Sequence, residues 1–196
     1  MNDFYAYTDK ALKDLRRFYI QQFRNAQMQI RADRLNVVSI TKGLYNRLEN
    51  ETIRVFKRIA REKYKELSGH DFMVDLWLLD FLSRSNPVAG YVWKNDVERK
   101  RQYCAESLLS DEPVATAMKK ALRYWYNQQR MFADLVTDAA AIQAFEDNGV
   151  SRVMWVTAGD ERVCSECDER DGHIYPITNV PAKPHPFCRC TIRSER

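Results

Sequence analysis

The sequence predicts a mainly α protein, with an elongated helical N-terminal body over residues 1–148 and a small β-rich lobe over residues 149–196. Three observations carry this prediction. Apolar residues recur at three- and four-residue steps from Leu12 to Ile142, where glycine is limited to Gly43, Gly69 and Gly90 and proline to Pro87 and Pro113. Past Gly149 the pattern changes to short β-prone runs. In that same segment four of the five cysteines fall between 164 and 190, in the order CSEC…HPFCRC. Zinc takes four N or S ligands in a tetrahedron, usually as two closely spaced pairs, so this spacing predicts a zinc-stapled lobe.

The body is built from stripes. Leu12, Leu15, Tyr19, Phe23, Ala26 and Ile30 form the first, and Leu44, Leu48, Val55, Ile59 and Leu67 the second. Ser68, Gly69 and His70 form a break, with His70 expected to help cap. A third helical segment spans Asp71 to Ser83 and stops at Ser85–Pro87, because the residue before a proline is pushed out of the helical region. Asn95 with Glu98 three residues on resembles a capping box opening a helix to Leu109. Ser110-Asp111-Glu112-Pro113 is the clearest helix start, followed by a stripe from Val114 to Ile142 and a stop at Asn148-Gly149. Unbroken, that helix runs about 50 Å. The body divides into a basic helical hairpin (1–70) and a helical bundle (71–148). Tyr124, Trp125 and Tyr126 are consecutive, which fits helix packing better than a base-stacking platform. Cys104 reads as a small buried residue. In the lobe, SRVMWVTA, HIYPI and CTIR are the three β-prone runs.

The most apolar run, FMVDLWLLDFL, is eleven residues long and carries Asp75 and Asp80, too short and too charged to span a bilayer. The N-terminus lacks the basic start and apolar stretch of a signal peptide. A reducing cytoplasm is therefore expected, where paired cysteines more often mean metal than disulfide. The net charge of +4 hides an asymmetry: 15 Lys and Arg against 8 Asp and Glu in residues 1–70, then 16 against 19. A basic first third suits phosphates or an acidic protein face; a solvated helix surface accounts for it equally well.

Cys164 and Cys167 can reach one ion from a tight turn, and His185 and Cys188 repeat the two-residue spacing. The preferred ligand set is Cys164, Cys167, His185 and Cys188, with Cys190 the alternative to His185. Four protein ligands leave no open coordination position, which marks a structural site. His173 in DGHIYPI raises a second reading, a metal-dependent nuclease of the His-Asn-His type with His173 as general base. No second histidine follows at a useful helical spacing, so an unpartnered turn histidine is the preferred reading. No P-loop, dinucleotide-binding glycine run or Ser-His-Asp order is present.

The residues from Gly149 onward resemble the phage minor head protein, or head morphogenesis, family, whose best-known member is the F protein of phage Mu. The resemblance rests on Trp155, Thr157, Asp160, Arg162, Cys164, Cys167, Gly172, His185, Pro186, Cys188, Arg189 and Cys190 in that order. Where the family often carries an Arg-Thr-Glu triplet, this chain has Val136-Thr137-Asp138. The resemblance implies a non-catalytic virion component, made in a bacterial host cytoplasm and placed inside the head. Its implied partners are the portal ring, packaged DNA, and scaffold or major capsid protein. A non-viral DNA-binding zinc module is disfavoured, since residues 150–196 carry 7 basic and 7 acidic side chains.

Overall fold

The computed structural model describes residues 4–159 and 163–195. Three long helices form its frame: α1 (Ala6–Ala32), α2 (Val37–Ser68) and α5 (Val114–Asp147), each packed against the other two. The first predicted stripe, Leu12 to Ile30, is the buried face of α1. In α2, Leu44, Leu48, Val55 and Ile59 are buried in the same core. At its centre Trp125 is fully buried, meeting Tyr45 and Tyr19 edge-on at centroid distances of 5.3 and 5.9 Å. Its neighbour Tyr124 is exposed, as consecutive positions around a helix require.

The α1–α2 corner is tight. Asp33 accepts a hydrogen bond from the Leu35 amide at 3.1 Å and starts the short 3-10 turn Arg34–Asn36. α2 stops at Gly69, whose φ of +75° only glycine adopts without a side-chain penalty. The cap there is Ser68, whose hydroxyl accepts from the His70 amide at 3.0 Å; no cap from the His70 imidazole is seen among the described residues.

α3 (Val74–Ser83) begins three residues later than expected. It buries Val74, Leu78 and Leu82 and leaves Leu76 and Leu79 in solvent, where Met73 just before it also lies. The turn at Ser85–Pro87 proves to be a small hairpin of β1 (Ser85–Asn86) and β2 (Tyr91–Val92), its bend held by the Asn86 side chain accepting from the amides of Val88 and Ala89. This hairpin displaces the expected helix start at Asn95. α4 (Trp93–Leu109) opens at Trp93, which is buried and donates from its indole to Gln129 at 2.9 Å, leaving Asn95 inside the first turn. Cys104 is buried, and burial pushes its thiol up to about 11.

Beyond Gly149 a second, smaller core forms. β3 (Arg152–Val156) is the middle strand of an antiparallel sheet between β4 (Ile174–Pro176) and β5 (Thr191–Ser194), in the order β4-β3-β5. All three β-prone runs thus become strands. Val153 and Trp155 alternate inward with strand period two and pack with Phe145 of α5, Ile177, Ile192, Cys167, Cys188 and Cys190. The architecture is mainly α with a small strand-containing C-terminal region, as predicted. Among the described residues no helix is long and apolar enough to cross a membrane.

Candidate metal centre

The cysteine-rich segment folds as two arms. The first is the start of α6 (Ser165–Arg170): Cys164 is its N-cap residue and Cys167 lies in its first turn, tied by the Asp168 amide donating to the Cys164 carbonyl at 2.9 Å. The second arm is the loop entering β5, which carries His185, Cys188 and Cys190. Phe187 sits at φ +64°, a left-handed conformation costly for a residue with a Cβ. It bends the backbone between Pro186 and Cys188, and the guanidinium of Arg130 lies 5.4 Å above its ring.

The arms meet at Cys167. Its Sγ lies 3.4 Å from that of Cys188, far beyond the length of a disulfide and close to the ~3.8 Å between two sulfurs on one tetrahedral zinc. The ligand atoms of Cys167, Cys188 and Cys190 lie within 4.8 Å of one another, and so do those of Cys164, Cys167 and His185. Cys167 therefore belongs to both groups. Burial pushes the Cys167 and Cys188 thiols upward, whereas the Cys167 amide donating to Cys164 lowers that half-buried thiol. The His185 Nδ1 lies 3.0 Å from the Pro186 carbonyl, which can only accept. Nδ1 is then the protonated nitrogen, and Nε2 is left as the ligand atom. A sulfur-rich donor set of this kind could hold a metal ion, and it suits a thiophilic one.

A polar clamp ties this centre to the helices. Arg189, between the last two cysteines, reaches Asp9 of α1 at 2.9 Å and Asp134 of α5 at 3.3 Å, and its guanidinium lies 4.0 Å over the Tyr5 ring. Lys183 pairs with Asp138 of α5 at 2.7 Å and donates to the Cys188 carbonyl at 3.0 Å. The Tyr5 hydroxyl donates to Asp138 at 2.5 Å and sits 3.3 Å from the Cys190 carbonyl oxygen. Thr137 gives its proton to the Ala133 carbonyl at 2.8 Å, so Thr8 is the donor in the 2.7 Å contact between the two hydroxyls. One side of the centre thus faces α1 and α5, with Asp9, Arg130 and Arg189 beside the cysteines in a cleft of about 460 Å³.

A family model, Phage Mu protein F like protein, matches residues 96–193, half of the chain. The chain belongs to this family. No match is found among curated proteins or among solved structures. The Phage Mu F-like assignment makes the chain a phage head morphogenesis protein by family. The matched span runs from α4 through β5 and takes in both arms of the cysteine cluster and the carboxylates of α5.

Within this family frame, the residues carrying the resemblance fall into two sets. Trp155 is buried in the sheet, and Gly172 bends the chain at φ +73° so that its amide reaches the Trp155 carbonyl at 3.0 Å. The Thr157 amide donates to Asp171 at 2.8 Å. Asp160 and Arg162 lie outside the described residues. Thr137 and Asp138, which stand where the family carries its triplet, are two of the clamp residues. His173 is exposed and belongs to neither group of clustered ligand atoms; its backbone accepts from the Trp155 amide at 2.9 Å. Nothing in this geometry favours the nuclease reading. Sequence reasoning missed Tyr5, Asp9, Asp134 and Lys183. Its available signal was a pair of carboxylates four residues apart in the most apolar stretch of α5, where unpaired acids are rarely buried.

Two tests follow from this geometry. Because Cys167 is common to both groups, Cys167→Ser is expected to abolish metal binding measured by elemental analysis. Cys190→Ser and His185→Ala then differ according to which supplies the fourth ligand. The second test concerns Asp134, which burial pushes up to about 7 despite the nearby Arg189. A carboxyl raised above its unfolded value of about 3.9 favours the folded state at low pH and loses that contribution as pH rises through the folded value. The wild-type melting temperature should therefore fall relative to Asp134→Asn between about pH 4 and 7. Parallel curves would contradict the assignment.

Proposed function

We propose that this Phage Mu F-like protein is a few-copy, non-catalytic component of the phage head that binds the portal ring during assembly. The observation that carries the reading is the family match from α4 to β5, which contains the whole cysteine cluster. In this reading residues 149–196 form a separate lobe held by a structural zinc ion. Its ligands are Cys164, Cys167, Cys188 and His185, with Cys190 the alternative to His185. Four such ligands would leave no coordination position for substrate water, so the ion stabilises the lobe and does no chemistry. A lobe of this size has little core of its own, which is where a metal staple contributes most.

The portal-binding surface we favour is α3. Large apolar side chains are normally turned inward, yet Met73 at the entry to α3 and Leu76 and Leu79 within it are 91, 81 and 53% exposed. Its carboxylates are already used within the chain, Asp75 by Lys57 and Arg61 and Asp80 by Arg84. The face therefore suits an apolar partner surface better than a basic one.

Co-expression with the portal protein of the same phage tests this reading. The wild type should co-purify with portal, and Leu76→Asp/Leu79→Asp should lose at least tenfold in recovered complex while keeping its melting temperature. A wild type that never associates would end the portal reading; a double variant that associates normally would move the contact away from α3.

A further inference from the structure

An open pocket of about 240 Å³ lies where the helical core meets the smaller C-terminal one. Leu135 and Ala139 of α5 line it, with Pro87 and Val88 from the bend of the β1–β2 hairpin. Val180 and Ile192 line it from the C-terminal region. The charges beside these apolar groups are already compensated. Lys183 is held by Asp138 at 2.7 Å, by the Tyr5 hydroxyl, and by the Cys188 carbonyl at 3.0 Å. The Asn86 side-chain oxygen is taken by the amides of Val88 and Ala89. Trp155, another lining residue, is different: it is 2% exposed, yet its indole N–H meets no acceptor among the described residues. The guanidinium of Arg170 lies 5.3 Å from the centre of its ring, but a guanidinium only donates. A buried donor without a partner is costly, and buried tryptophan N–H groups usually have one.

We propose that this pocket binds a small neutral molecule, mainly apolar and the size of two fused rings, whose hydrogen-bond acceptor takes the Trp155 indole N–H. Size follows from volume. An apolar cavity of about 150 Å³ accommodates benzene, so the larger space here has room for a second ring. Neutrality follows from the Lys183–Asp138 pair, because a charged ligand would leave water with no uncompensated ion to meet it. The acceptor follows from Trp155, whose N–H is the buried polar group left to orient a ligand. Ligand pockets commonly take this form, with apolar walls and a few placed polar groups that fix orientation. A bound molecule would touch α5, the hairpin and β5 at once. It therefore stabilises the junction between the helices and the C-terminal region, and raises the melting temperature by mass action. Neither portal binding nor a bound metal is needed for this site.

The test uses two probes of one shape on the full chain: 1-indanone, a fused bicycle with a ketone acceptor, and indane, the same frame without the oxygen. The chain has four tryptophans, so its nitrogen-15 spectrum carries four indole N–H signals, and that of Trp155 is assigned by its loss in Trp155→Phe. In the wild type 1-indanone should move the Trp155 signal saturably and bind about fivefold more tightly than indane, the worth of one hydrogen bond. Trp155→Phe should bring the two probes level in calorimetric titrations. Ala139→Phe fills the pocket from α5 while keeping the indole, and should remove binding of both. No saturable movement of the Trp155 signal, equal wild-type affinity for the two probes, or unchanged binding in Ala139→Phe would overturn the proposal. The wild-type comparison stands without any variant having to fold, and none of these outcomes depends on portal co-purification.

Discussion

Arg189 lies between two cysteines of the cluster, and its guanidinium reaches carboxylates on two helices more than a hundred residues apart, Asp9 and Asp134. With Lys183, Asp138 and the Tyr5 hydroxyl it forms the contact on which the arrangement of the molecule depends. These groups hold the backbone of the last cysteine loop at the carbonyls of Cys188 and Cys190. They also fix the start of α1. A largely buried charge whose partner is removed costs about 3–5 kcal/mol, far more than an exposed pair contributes. Asp134 and Lys183 are 4 and 10% exposed, which places the clamp in that costlier regime.

Two cores explain why the clamp is needed. The helical core is large, centred on Trp125 and closed by three long helices. The second is small and draws part of its packing from thiols and from Phe145 at the end of α5. Fewer than fifty residues beyond Gly149 bury too little apolar surface to stand securely alone. Four further cysteine and histidine side chains converge on Cys167, and the clamp supplies the attachment. The exposed face of α3 lies on the helical body, so the cysteine-rich region and the proposed contact surface are carried by one frame.

Much of the fold was legible because burial follows period. The stripe from Leu12 to Ile30 needed only its three- and four-residue steps, and Pro113 and Gly149 bracketed α5 by backbone chemistry alone. Asn95 misled because a local capping pattern lost to a tertiary contact, the buried Trp93 indole on Gln129. At the centre, the spacing of CSEC and HPFCRC picked out the side chains that cluster but not their grouping, since Cys167 belongs to two groups that spacing alone keeps apart. The clamp was hidden for a different reason. Asp134 and Asp138 look like ordinary helix acids, and nothing local tells that their partners come from the opposite ends of the chain.

The claim that this clamp couples the start of α1 to the cysteine loop can be measured by hydrogen–deuterium exchange on wild type and Lys183→Met. Removing the Lys183 charge leaves Asp138 without its cation. Residues 5–12 and 186–194 should then lose protection together, while the amides of α2 around Leu48 to Ile59 stay unchanged. Loss confined to 186–194, with the start of α1 as protected as in the wild type, would contradict the account.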